Sequence, residues 1–115
     1  MKTYAVIRFE VEGFHKWADA PYHRAYLNQS HRHIFKVEAQ VELRHNEREI
    51  EFHDLLDFCR SEFPAGQLGG RSCETLATDL LNKITMTYPQ RFVRVSVFED
   101  GENGAICEGT GGDKS

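Results

Sequence analysis

Three histidines and one glutamate carry the chemistry this sequence offers. His31 and His33 lie one residue apart in Ser30-His31-Arg32-His33-Ile34-Phe35-Lys36-Val37-Glu38-Ala39-Gln40-Val41-Glu42-Leu43. The stretch alternates. Phe35, Val37, Ala39, Val41 and Leu43 share a parity with the two histidines, and the even positions are mostly polar. A strand sends residues i and i+2 to the same face. Both imidazoles therefore belong to the apolar face, side by side at the strand's beginning. Two readings are open for such a pair: half of a metal site, or polar residues at a strand's wet end.

A third histidine follows the same logic. Ala5, Ile7, Phe9, Val11, Gly13 and His15 share one parity, which predicts a first strand from about Thr3 to Glu12. If it runs on to Phe14, His15 falls on the face of Phe9 and Val11. Antiparallel pairing of the two strands would then bring all three imidazoles to one point. Three histidines with an open fourth position are how a catalytic zinc is held. Taken one at a time, each histidine reads equally as a strand-end or loop residue. His23, His45 and His53 read as solvated. Glu99 closes the run Val93, Val95, Val97 with their parity. A carboxylate on an apolar side is costly unless it finds a partner. That partner is either an Arg or Lys, or a pair of ring N–H groups on a ligand, the geometry offered by pterin and guanine edges. Asp100, Glu102 and Asn103 either add polar groups near Glu99 or only make a turn.

The elements that must position these residues follow from period and punctuation. Residues 16–30 lack periodicity and read as a loop with at most one short helical turn. A connection of this length is often functional. The second strand spans about His31 to Arg44. Phe52, Leu55, Leu56 and Cys59 follow helical spacing, and this helix should end near Phe63-Pro64. Ala65 to Gly70 reads as a flexible loop. Ser72 reads as the N-cap of a second helix, from about Cys73 to Tyr88, with Leu76, Leu80, Leu81 and Ile84 as its stripe. Pro89 stops it. Arg91 to Glu99 and Ala105 to Glu108 are strands around a hairpin turn. The expected order is ββααββ, an α+β protein with antiparallel pairs and two helices on one face of the sheet. Residues 1–108 form one domain on this reading, and 109–115 a flexible tail.

The totals bound the class. A chain of 115 residues with net charge -4 suits one globular domain. Its scattered basic residues give no nucleic-acid footprint. No apolar run approaches the length of a membrane helix, and the N-terminus enters a strand pattern directly, without a signal peptide. The three cysteines, Cys59, Cys73 and Cys107, show neither zinc-knuckle spacing nor a disulfide framework, which suits a cytoplasmic location.

Several segments together resemble the 6-pyruvoyl-tetrahydropterin synthase and 6-carboxy-tetrahydropterin synthase family. Phe9-Glu10-Val11-Glu12-Gly13-Phe14-His15-Lys16-Trp17 is similar to its first-strand motif, and His31-Arg32-His33 to its His-Gly-His. Ile50-Glu51-Phe52 sits where the family has an Asp-Phe. Ser72-Cys73-Glu74-Thr75-Leu76-Ala77 is similar to its Pro-Thr-x-Glu-x-Leu-Ala, and Val97-Phe98-Glu99 falls at its pterin-gripping glutamate. The likeness runs over about residues 4 to 108. It implies a tunnelling fold assembled as a homo-oligomer, trimer or hexamer, with Zn2+ on His15, His31 and His33. It further implies a pterin- or purine-like ligand on Glu99 and Ser72, and lyase or synthase chemistry. The departures are as informative. The family's catalytic cysteine stands four residues before the first histidine of its pair, and here that position is Leu27. Its Asp-His relay has no counterpart in 63–70, and Arg32 replaces a glycine. The expectation is a zinc-dependent pterin-type enzyme with altered chemistry, whose proton acceptor would be His23 or Glu102. The alternative is a binding module that keeps metal and ligand but has lost the reaction.

Overall fold

The computed structural model describes residues 1–110. Its alternating stretches are β1 (Thr3–His15), β2 (His31–Leu43), β4 (Val93–Glu99) and β5 (Asn103–Gly109). Helices α1 (Phe52–Glu62) and α2 (Cys73–Thr87) flank a further short strand, β3 (Gly66–Gly69). A 3-10 helix at Tyr22–Asn28, kinked at Arg24, occupies the long β1–β2 connection. The result is an α+β protein with one five-stranded sheet, in the order β3-β1-β2-β4-β5. All neighbours are antiparallel except β3, which runs parallel to β1.

Side-chain period explains the layering. The odd positions Ala5, Ile7 and Phe9 of β1, Phe35 to Val41 of β2, and Val93, Val95 and Val97 of β4 are buried. They form one cluster with Leu55 and Cys59 of α1 and with Leu76, Ala77, Leu80, Leu81 and Ile84 of α2. The even positions form the other face. It carries cross-strand ion pairs such as Arg8–Glu38, Lys36–Glu10 and Arg32–Glu12. Both α-helices carry a side-chain N-cap, and Ser72 is the one expected from the sequence. Ser72 Oγ accepts from the Thr75 amide at 3.1 Å, and the Glu51 side chain accepts from the His53 amide; such caps satisfy donors that lack an intrahelical partner.

Two expectations are corrected. The segment read as a flexible loop contains β3, so the strand–helix order is ββαβαββ. Leu68 is the reason: it is 2% exposed and packs into the core. Gly13 makes room for it, because a Cβ there would lie 2.7 Å from Leu68 Cδ1. Gly66 and Gly69 take positive φ on either side, which glycine does without steric cost. A lone leucine among glycines carries no period, so this strand had no sequence signal. The last strand also extends past Glu108, with Gly109 paired to Val93. Residues 111–115 of the expected tail lie outside the described residues.

One buried ion pair ties the β2–α1 connection to the start of β4. Arg91 is 6% exposed. Its Nη2 lies 2.9 Å from Glu49 Oε2, and its Nη1 donates to Glu49 Oε1 and to the Glu42 carbonyl, each at 3.1 Å. The Arg91 guanidinium, with the Arg44 amide, holds the Glu49 carboxyl below its ordinary value. Removing one member of such a pair strands the other charge. Glu49→Gln should therefore cost about 2–4 kcal/mol at neutral pH. A folded pKa below the unfolded one means that this stability is present above the ordinary carboxyl value of 4.5 and fades as pH falls through the folded value. Urea unfolding of wild type and Glu49→Gln should show a gap at neutral pH that narrows in acid; a gap that does not depend on pH would contradict the pairing.

Candidate metal centre

The β1–β2 ladder runs without a break from Thr3↔Leu43 to His15↔His31, and it places Gly13 opposite His33. The three histidines share the buried parity, so pairing sets their rings together on one face. Ring centroids lie 4.6 Å (His15–His31), 5.2 Å (His15–His33) and 4.9 Å (His31–His33) apart, with near-perpendicular planes. Phe35 floors the group, 5.3 Å from His15 and 5.8 Å from His33. β4 adds Glu99, its last residue, opposite Phe35 on β2. One ligand-capable atom from each of His15, His31, His33 and Glu99 lies within 4.8 Å of every other.

The second nitrogen of each ring decides what these atoms offer. His15 Nδ1 is 3.0 Å from the Arg71 carbonyl. His31 Nδ1 is 2.9 Å from the Gln29 carbonyl. His33 Nδ1 is 2.7 Å from Asp100 Oδ2. Carbonyl and carboxylate oxygens only accept, so each Nδ1 donates its N–H outward and each ring turns its Nε2 to the other side. His15 Nε2 is buried and has no hydrogen-bond partner. Its near neighbour is Glu99 Oε2 at 2.8 Å, out of line for a hydrogen bond; the same oxygen is 3.5 Å from His33 Nε2. Ring nitrogens gathered around a partly buried carboxylate suit a positive charge placed among them. A divalent metal ion supplies that charge. Three imidazoles and a carboxylate suit zinc and other first-row divalent ions, and ligating histidines commonly donate their other N–H to a carbonyl or carboxylate.

A cavity of about 710 Å3 opens over the cluster. Trp17, Tyr26 and Leu27 stand on one wall, and Arg71, Ser72 and Cys73 on another. Leu27 thus faces the site as an inert side chain, its carbonyl accepting from the Trp17 amide at 2.8 Å. Ser72 reaches the cavity but spends its hydroxyl on the α2 cap. His23 and Glu102, the proton-acceptor candidates, are exposed and do not line the cavity. His45 belongs to the β2–α1 connection and His53 to the first turn of α1, apart from the cluster.

Sequence reasoning missed the outer partners of the imidazoles. Backbone carbonyls at Gln29 and Arg71 leave no mark on a sequence, and Asp100 was legible there as either a polar group near Glu99 or a turn residue, without its His33 contact. Its carboxyl is held below the ordinary range by the His33 ring and the Ile34 amide. Cys73 was a helix-start residue in the sequence and proves to line the cavity. Burial first, then the Glu99 and Glu74 charges, pushes its thiol up to about 12, so it stands protonated at neutral pH. No protein-family model matches this chain, and no curated protein matches it in sequence. The geometry of the site therefore carries its functional reading.

Purified protein equilibrated with Zn2+ should hold about one equivalent per chain, and the His31→Ala/His33→Ala double variant almost none. Metal that binds only the native state stabilises it by about 2.7 kcal/mol at a hundredfold excess over Kd. Thermal melts with and without a chelator should separate in wild type and coincide in the double variant. Full zinc content in that variant would refute the assignment.

Proposed function

We infer that this chain is a zinc-dependent enzyme acting on a pterin- or purine-like small molecule, with lyase- or synthase-type chemistry that departs from the family it resembles. The observation that carries this reading is the orphaned His15 Nε2 facing Glu99 Oε2 beneath an open cavity. Bound there on His15, His31 and His33, zinc would supply Lewis acidity toward a substrate oxygen. Glu99 reaches both the imidazoles and the cavity, and its carboxylate suits the paired N–H edge of a pterin or guanine. Trp17 and Tyr26, each largely exposed, offer flat faces against which a heteroaromatic ring stacks. Lys16, Arg24 and Arg71 also line the cavity and favour a substrate with an anionic group.

Two further expectations belong to the same reading. A tunnelling-type homo-oligomer, trimer or hexamer, accords with the sheet's two outer sides: β1 is bordered by β3 only over Gly13–His15, and β5 ends the strand order. Unpaired edges of this kind are ready to take a strand from another copy. A reducing, cytoplasmic setting accords with the three free cysteines. Among the described residues no helix is long and apolar enough to cross a membrane.

A second reading has its own support. Leu27, His23 and Glu102 supply no proton acceptor in the cavity, and His15, His31, His33 and Glu99 make a four-ligand set of the kind that closes a structural site. A binding module would keep metal and ligand without turnover. Zinc-loaded protein incubated with dihydroneopterin triphosphate separates the readings. Binding should be seen by calorimetry, weakened about 10–100-fold in Glu99→Gln, with the zinc content of that variant measured alongside. Conversion to a product other than the family's expected one supports the enzyme, and saturable binding without conversion supports the module. Absence of any binding by pterins and guanine nucleotides would sink both.

A further inference from the structure

The three imidazoles are not held alike. His15 and His31 lean on neutral backbone carbonyls, whereas His33 gives its Nδ1–H to a charged side chain, Asp100, at the shorter distance of 2.7 Å. Asp100 is itself clamped to the strand that carries His33. Its amide donates to the Ile34 carbonyl at 2.8 Å, and its Oδ1 accepts from the Ile34 amide at 2.8 Å. The carboxylate is thus fixed by the residue next to the ligand it orients, with one oxygen on the backbone and the other on the ring. Its position in the β4–β5 turn is left-handed, with φ 55°. Asparagine or glycine would meet that backbone demand equally well, so the turn alone does not call for a negative charge.

We propose that Asp100 is a positioning residue of the metal centre, which locks His33 in its Nδ1–H form and makes it the strongest donor of the three imidazoles. A carboxylate accepts the ring proton more strongly than a carbonyl does, and this raises the basicity of the nitrogen facing the metal. The role rests on the metal reading of His15, His31, His33 and Glu99.

Two substitutions in the full chain isolate it. Asp100→Gly keeps the left-handed turn and deletes the carboxylate. Asp100→Asn keeps the turn and the Ile34 contact, but with one acceptor oxygen in place of two it turns an NH2 donor toward His33 Nδ1 and favours the other tautomer. Competition titration against a chelator should show zinc binding weakened about 10–100-fold in Asp100→Gly and at least as much in Asp100→Asn. Nitrogen-15 spectra of the metal-free protein should show His33 protonated at Nδ1 in wild type and mixed in Asp100→Gly. Should Asp100→Gly unfold, as judged by circular dichroism, the Asp100→Asn titration decides. Unchanged zinc affinity in the folded variants, in a protein whose His33→Ala variant loses zinc, overturns the role of Asp100 alone. A wild type that takes up no zinc overturns the metal reading and this role together.

Discussion

The β1–β2 register is the constraint on which the rest depends. A continuous antiparallel ladder from Thr3↔Leu43 to His15↔His31 places Ala5, Ile7 and Phe9 under the helices at one end. At the other end it gathers three imidazoles. The two outcomes cannot be uncoupled, because a slip of one residue turns every side chain of a strand to the opposite face. Core burial along the strands therefore enforces the geometry of the site at their ends. Val37, Ala39 and Val41 are almost wholly buried, so the energy that holds the register is far larger than any strain at the histidines.

The remaining elements close the site rather than create it. β3 is seated by Leu68 against Gly13, and the turn that follows brings the Arg71 carbonyl to His15. The residues leading into β2 bring the Gln29 carbonyl to His31, and the β4–β5 turn brings Asp100 to His33. Each ring is thus braced from outside by a different connection. Bracing leaves the Nε2 side unsatisfied, and His15 Nε2 remains without a hydrogen bond although Glu99 Oε2 is 2.8 Å away. A buried polar atom without a hydrogen bond is rare in folded chains. A metal ion among these groups would satisfy that nitrogen.

The cavity shows a second separation of tasks. The cluster under it is dense in ligand atoms, whereas the walls add one carboxylate, Glu74 in the first turn of α2. Leu27 is apolar, and the Cys73 thiol is held in its neutral form by burial and by the Glu99 charge. The lining also carries three cations, Lys16, Arg24 and Arg71. The ligand-capable atoms of His15, His31, His33 and Glu99 could hold a metal ion at the cavity's base.

The period-two pattern of β1, β2 and β4 was enough, by itself, to determine which face is buried and that His15, His31, His33 and Glu99 belong to it. Helix positions and the Ser72 cap were legible for the same reason: local spacing and local hydrogen bonding leave their mark on neighbouring residues. The structure alone decided β3, the Arg91–Glu49 pair, the role of Asp100, the carbonyls of Gln29 and Arg71, and the exclusion of His23 and Glu102 from the cavity. Each of these depends on contacts between residues distant in the chain, or on backbone atoms that every residue shares. Pattern reports which way a side chain faces. Only the folded chain reports what it meets there.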